Sequence, residues 1–225
     1  YWSLILPSFD VGTSTVDRSA EDCSGRSVFD KPELADAEGV RSGALTVKPE
    51  TAVITPGADG MRIVWLPTHR FANEEAAGPL ALLRPREGFA EVYATGFYRG
   101  NPKNSRFTLE RMGTYFVVTA GNEGCASAKG KPCQSSFKVY VMRSGLLVSS
   151  AELAVERVDF RSMAGVPGPV QYRLTATPVF DAKGMRVVEQ LAVRDENQSV
   201  LRKSDLERAF KLEPNGRLGC KESSL

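Results

Sequence analysis

The chain has 225 residues, of which 42% are hydrophobic and 25% charged, with a net charge of +2. That length suits one large β-domain or two small ones and can bury a core without help from a metal or a cross-link. The near-balance of charge argues against a nucleic-acid binder, and no apolar run approaches the roughly 20 residues of a membrane-spanning helix. The charge is unevenly spread. Residues 1–60 carry 5 basic and 10 acidic side chains, whereas residues 61–150 carry 12 and 6. That asymmetry reads first as ordinary solvated loops; the sharper alternative is a basic face near the chain middle that meets an anionic partner.

The chain opens on "YWSLILPSFD", an apolar run before Pro7 that lacks the basic leader of an intact signal peptide. Residues 1–42 are acidic and weakly periodic, and they read as an extended arm with a short helix over Asp30 to Ala37, where an Asp cap precedes an early Pro. From residue 43 strand-like alternation dominates. "GALTVKPETAVITPGADGMRIVWLP" reads as three strands broken by Pro and Gly. "ANEEAAG" (Ala72 to Gly78) reads as a helical turn, and "FAEVYATGFY" (Phe89 to Tyr98) as a strand. "RFTLERMGTYFVVTAG" is two strands meeting near Gly113, and "SFKVYVMRSGLLVSS" is a hairpin turning at Ser144-Gly145 with Phe137, Val139 and Val141 on one face. The meander continues through turns at "DAKG" and "DENQ" to a last hairpin around Pro214-Asn215-Gly216. "SDLERAF" (Ser204 to Phe210) has the Ser-x-x-Glu spacing of a capping box and reads as a helical turn. The expected architecture is all-β: an arm over residues 1–42 and, over 43–225, an antiparallel sandwich or meandering barrel of roughly ten to twelve strands with one or two short helices.

Four cysteines suggest two disulfides. The favoured pairing is Cys125 with Cys133, across the turn "GCASAKGKPC", and Cys23 with Cys220, tying the arm to the chain's last hairpin. Disulfides imply an extracytoplasmic setting: periplasm, outer envelope or secretion. The stretch between Cys125 and Cys133 is not a phosphate loop. Five residues separate Gly124 from Gly130, and Pro132 stands where a magnesium-binding hydroxyl belongs. Nor is it a zinc site, because the cysteines are too widely spaced and His69 is the single histidine.

Ser135 and Lys138 share the Ser-x-x-Lys spacing of penicillin-binding enzymes. They fall on a strand, where residues three apart face opposite ways. "NQS" (Asn197 to Ser199) is a glycosylation sequon in a turn. No catalytic, metal or cofactor site is expected. The candidate binding residues are Lys129 and Lys131 on the stapled loop, with Arg99, Lys103 and Arg106 extending the same basic surface if the two loops share one end of the sheet. The function expected is non-catalytic: binding another protein, or serving as an accessory or structural subunit of an assembly, including a membrane-associated one. Two alternatives stand beside it. One is a lipocalin-like carrier with an apolar cavity. The other is a carbohydrate hydrolase using loop acids such as Glu74-Glu75 or Asp195-Glu196.

Overall fold

Alternating β-branched and aromatic residues form fifteen strands among the residues that a computed structural model describes: 1–38, 44–122, 125 and 131–221. Two of them, β1 (Thr15–Asp17) and β2 (Ala44–Thr46), pair in a small ribbon. The other thirteen form one sheet. They are β3 (Val53–Pro56), β4 (Arg62–Trp65), β5 (His69–Arg70), β6 (Ala76–Arg86), β7 (Phe89–Gly100), β8 (Ser105–Met112), β9 (Tyr115–Asn122), β10 (Cys133–Arg143), β11 (Leu146–Ser162), β12 (Pro169–Asp181), β13 (Gly184–Arg194), β14 (Val200–Leu212) and β15 (Leu218–Lys221). All neighbours are antiparallel except β7 and β11, which meet in parallel at Leu146 opposite Thr95. The all-β expectation holds, but the sheet does not close into a barrel: β3 and β15 end its path.

Alternation along the strands sorts side chains into stacked cores. In β4, Val64 faces one core while Ile63 and Trp65 face another; in β6, Ala81 and Leu83 oppose Leu80 and Leu82 in the same way. The first core is capped by the arm through Trp2 and Ile5 of a four-residue helix, α1 (Trp2–Ile5), with Leu6, Val16, Val28 and Phe29. The second lies between β4–β6–β7 and β8–β9–β10, around the edge-to-face rings of Trp65 and Tyr98. The third packs the reverse side of β8–β10 (Met112, Val117, Phe137, Val139 and Val141) against Ala176, Met185, Val187 and Phe210 of β12–β14. The layers therefore run arm, β4–β6–β7, β8–β10, β12–β15. Gly78 is required where β6 passes the chain after β4, since a Cβ there would lie 1.9 Å from the Leu66 carbonyl oxygen.

Three local expectations are corrected. The helix over Asp30 to Ala37 shrinks to a 3-10 turn, Pro32–Leu34. "ANEEAAG" is a turn running into β6, a strand buried on both faces and so too uniformly apolar to show alternation. Ser204 to Phe210 is strand, with Ser204 opposite Leu191 and Glu207 opposite Val188; pairing with β13 overrides the local helical spacing. The expected Cys23–Cys220 cross-link is also not formed. Cys23 lies in the arm, where its amide meets the Ile5 carbonyl, while Cys220 lies on β15 opposite Phe210, at the far edge of the sheet.

The arm is held instead by its apolar residues and by a buried turn. Asp22 accepts bonds from the Ser24 amide (2.9 Å) and the Arg26 guanidinium (2.9 Å), and Ser24 and Arg26 both reach the Thr95 hydroxyl on β7.

Candidate protein-binding surface

The Cys125–Cys133 disulfide is present, with a Cα–Cα distance of 5.8 Å. Cys125 is tied to β11: its amide donates to Glu156 Oε2 (2.6 Å), and Glu156 pairs with Arg173 of β12 (2.7 Å). Lys131 is exposed, and Lys129 lies outside the described residues. The β7–β8 and β9–β10 loops do leave the sheet at one end, because Ser105 pairs with Asn122.

The remaining candidates do not form an open basic patch. Arg99 turns inward, donating to Glu75 (2.8 Å), to Asp36 (2.9 Å) and to the Glu33 carbonyl (3.1 Å), with its guanidinium 3.7 Å above the Phe71 ring. It latches the arm to β7. Lys103 pairs with Glu74 at 3.5 Å, both largely exposed. Arg106 donates to the carbonyls of Lys103 (3.3 Å) and Ser105 (3.1 Å).

The loop acids have structural partners too. A surface cavity of about 480 Å³ is lined by Glu38, Arg70, Phe71, Glu74, Glu75 and Lys103, and its Glu74 and Glu75 are the acids that pair with Lys103 and Arg99. Asp195 accepts the Ser199 amide (2.8 Å) and shapes the β13–β14 turn. Ser135 and Lys138 follow strand geometry: the Ser135 hydroxyl is buried and unpartnered among the described residues, while Lys138 reaches Glu152 at 4.0 Å. His69 is 1% exposed, and desolvation pushes its pKa down to about 4. It lies edge-on to Phe29 of the arm and serves as core.

A different surface emerges from the C-terminal sheet. Along β12 and β13 the core-facing side carries Ala176, Met185 and Val187, and the same alternation continues outward as Leu174, Tyr172, Leu191 and Val193. Rows are set by register: Arg157, Leu174, Leu191 and Ser204 form one, and Asp159, Tyr172, Val193 and Arg202 the next. Ala176, Met185 and Val187 belong to the third core. Farther out, Val170 and Val193 are buried, whereas Leu174, Leu191 and Tyr172 between them and the core stay half-buried and line an apolar cavity of about 270 Å³ with Arg157, Asp159 and Arg161.

The rim of this cavity is basic. Arg161 pairs with Asp159 (2.8 Å) and lies 5.9 Å from the centre of the Tyr172 ring; its hydrogen bond, with the Phe160 amide, holds the Asp159 carboxyl below its usual pKa. Two arginines, Arg157 and Arg161, thus line the cavity with one aspartate, and Arg202 lies on the same face beyond Val193. Sequence reasoning placed these residues on strands but did not pick out the surface. Alternation marks an inward face; it does not mark where the covering layer stops.

Comparison with known proteins gives no guide to this surface: no family model, no curated protein and no solved structure matches the chain.

Proposed function

We propose that the chain is a non-catalytic extracytoplasmic protein that binds a partner protein, as an accessory or structural subunit of a larger assembly. The observation that carries this reading is the groove on the apolar face of β12–β13, where Leu174, Leu191 and Tyr172 are left half-exposed. Apolar surface gathered in a groove with a charged rim is the usual form of a binding site. The groove is open to an extended or helical segment from another chain. Arg157 and Arg161 against one aspartate on the rim, with Arg202 farther along the same face, select acidic flanks on that segment. The disulfide favours an oxidising compartment.

The test is selection from a displayed library of random peptides against the whole chain and against a Leu174→Lys, Leu191→Lys variant. Both positions are partly exposed, so the variant retains its fold, as its denaturation curve will report. The expected outcome is enrichment of apolar segments flanked by Asp or Glu on the parent alone, with binding weakened by Arg157→Glu. Equal capture by parent and variant, or no enrichment, refutes the reading.

A further inference from the structure

The thirteen-residue strand β14 is paired with β13 on one side from Val200 to Phe210, with a bulge at Leu201. On the other side β15 covers only Ala209 to Leu212. Among the described residues nothing pairs with β14 between Val200 and Arg208, and Val200 to Glu207 are exposed on both faces as well. Such an edge is a template for another strand. Its open peptide groups can be assigned. The Glu213 amide donates to the Arg217 carbonyl across the final hairpin, so Glu213 points its peptide groups to the β15 side. Every second residue back along the strand does the same, and the register with β13 is unbroken from Arg202 to Phe210. Lys203, Asp205 and Glu207 therefore present their N–H and C=O groups to the open side.

We infer that this edge pairs with the same edge of a second copy, antiparallel, about a two-fold axis at Ser204. The register follows from charge. Centred on Ser204, Lys203 of each copy lies opposite Asp205 of the other, Leu201 opposite Glu207, Arg202 opposite Leu206 and Val200 opposite Arg208. No like charges meet, and Ser204 is the midpoint of the open segment Val200 to Arg208. Other centres fail. Centring on Arg202 or Lys203 sets two copies of that residue against each other. A centre at Asp205 opposes two aspartates and also Arg202 to Arg208. A centre at Leu206 opposes Asp205 to Glu207. Directly opposed like charges destabilise a strand pair, and opposite charges stabilise it. With the axis at Ser204, the Lys203–Asp205 pairs on either side exchange backbone hydrogen bonds, and the two serines form the close, non-hydrogen-bonded pair at the centre.

The pairing joins two sheets edge to edge, with the Leu191–Ser204 row continuing across the axis. Both grooves then open on the same side of one continuous sheet. The inference does not rest on the groove's binding a partner, and none of the tested positions lines it.

The experiment is sedimentation velocity of the whole chain over a concentration series, with Lys203→Glu, Asp205→Lys and the double variant. The parent is expected to dimerise. Each single reversal places like charges opposite each other at two symmetric points and should weaken the dimer at least about tenfold; the double variant restores it. Ser204→Cys oxidised with diamide should give a 204–204 linked peptide by mass spectrometry, since facing Cα atoms at such a pair fall within disulfide range. A parent that stays monomeric overturns the inference, including the case where the chain's own last residues fill the edge. So does a dimer indifferent to both reversals, or one that the double variant fails to restore.

Discussion

His69 makes the fold sensitive to mild acid, and the size of the effect can be worked from its surroundings. Its Nδ1 lies 2.8 Å from the Thr68 hydroxyl, which also lies 3.1 Å from the Ala77 carbonyl. A carbonyl only accepts, so the hydroxyl donates to Ala77 and receives from the imidazole: Nδ1 carries the proton. Nε2 is then a bare acceptor, buried and without a partner among the described residues. Protonating it would place an uncompensated cation against Phe29, and desolvation holds its pKa down to about 4. In the unfolded chain the imidazole titrates near 6.5. Above that pH both states are neutral and His69 adds no pH dependence. Below it the unfolded chain binds a proton that the folded chain refuses, so stability falls as pH falls, by about 1.4 kcal/mol per pH unit and about 3 kcal/mol in all by pH 4. Carboxylates with lowered pKa, Asp36 and Asp181 among them, lose stability in the same direction as pH falls through their folded values, so a variant must isolate the histidine. Urea denaturation of the parent and of His69→Leu at pH 7.5 and pH 5.0 does this. His69 is the single histidine in the chain. The parent should lose about 2 kcal/mol more than the variant over that interval. Equal losses would refute the reasoning, as would an imidazole resonance titrating near 6.5 in the folded protein.

Arg99→Ala should cost about 2–3 kcal/mol, because it removes a stacked guanidinium and leaves Glu75 and Asp36 without their shared partner. Arg99→Lys should recover only part of this, since one ammonium cannot reproduce the fork, and hydrogen exchange should rise first over residues 30–38. Replacing Cys125 and Cys133 by serine reopens a short loop and should cost about 2–3 kcal/mol in the chain-entropy account, read by urea denaturation of the oxidised parent against the variant.

The strands were legible wherever one face is buried and the other is wet. β10 shows this in its first half, where Phe137 and Val139 enter the third core and alternate with the partly exposed Ser136 and Lys138, before Tyr140 and Met142 turn into the second core; the turns at Ser144-Gly145 and Asn215-Gly216 use left-handed backbone at Ser144, Gly145 and Gly216. β6 was not legible, because a strand between two cores is apolar on both faces and loses its period of two. β14 misled in the opposite way. Exposed on both faces, it carries no apolar period at all over Val200 to Glu207, so a capping spacing became the strongest local signal. The local disulfide could be read from two cysteines around a turn, whereas the long one could not, since the topology that puts β15 at the far edge is set by strand order. For the candidate surface, Arg99 looked like a surface cation and proved to be a latch. Its partners, Asp36 and Glu75, are 63 and 24 residues away, and nothing local marks them.

The two ends of the layer stack are held by different forces, and this bears on where a partner acts. On the arm side Trp2, Ile5, Leu6 and Val64 are almost wholly excluded from water, each a side chain whose burial contributes about 1.5–3 kcal/mol. Adding a partner there would gain little, because the apolar surface is already covered. On the C-terminal side the inner third of β12–β14 is held by Met185, Val187 and Phe210. Beyond it Val170 and Val193 stay buried, and the sheet otherwise relies on its backbone ladder and on cross-strand pairs such as Arg173 with Glu156, 2.7 Å apart. Such pairs contribute only about 0.2–1 kcal/mol each. The chain thus orders a length of sheet on which it buries Leu174, Leu191 and Tyr172 only in part. A segment laid on Leu174 and Leu191, and a strand added to β14, would each supply a kind of contact that the fold leaves unmade: apolar cover for the groove and backbone partners for the edge.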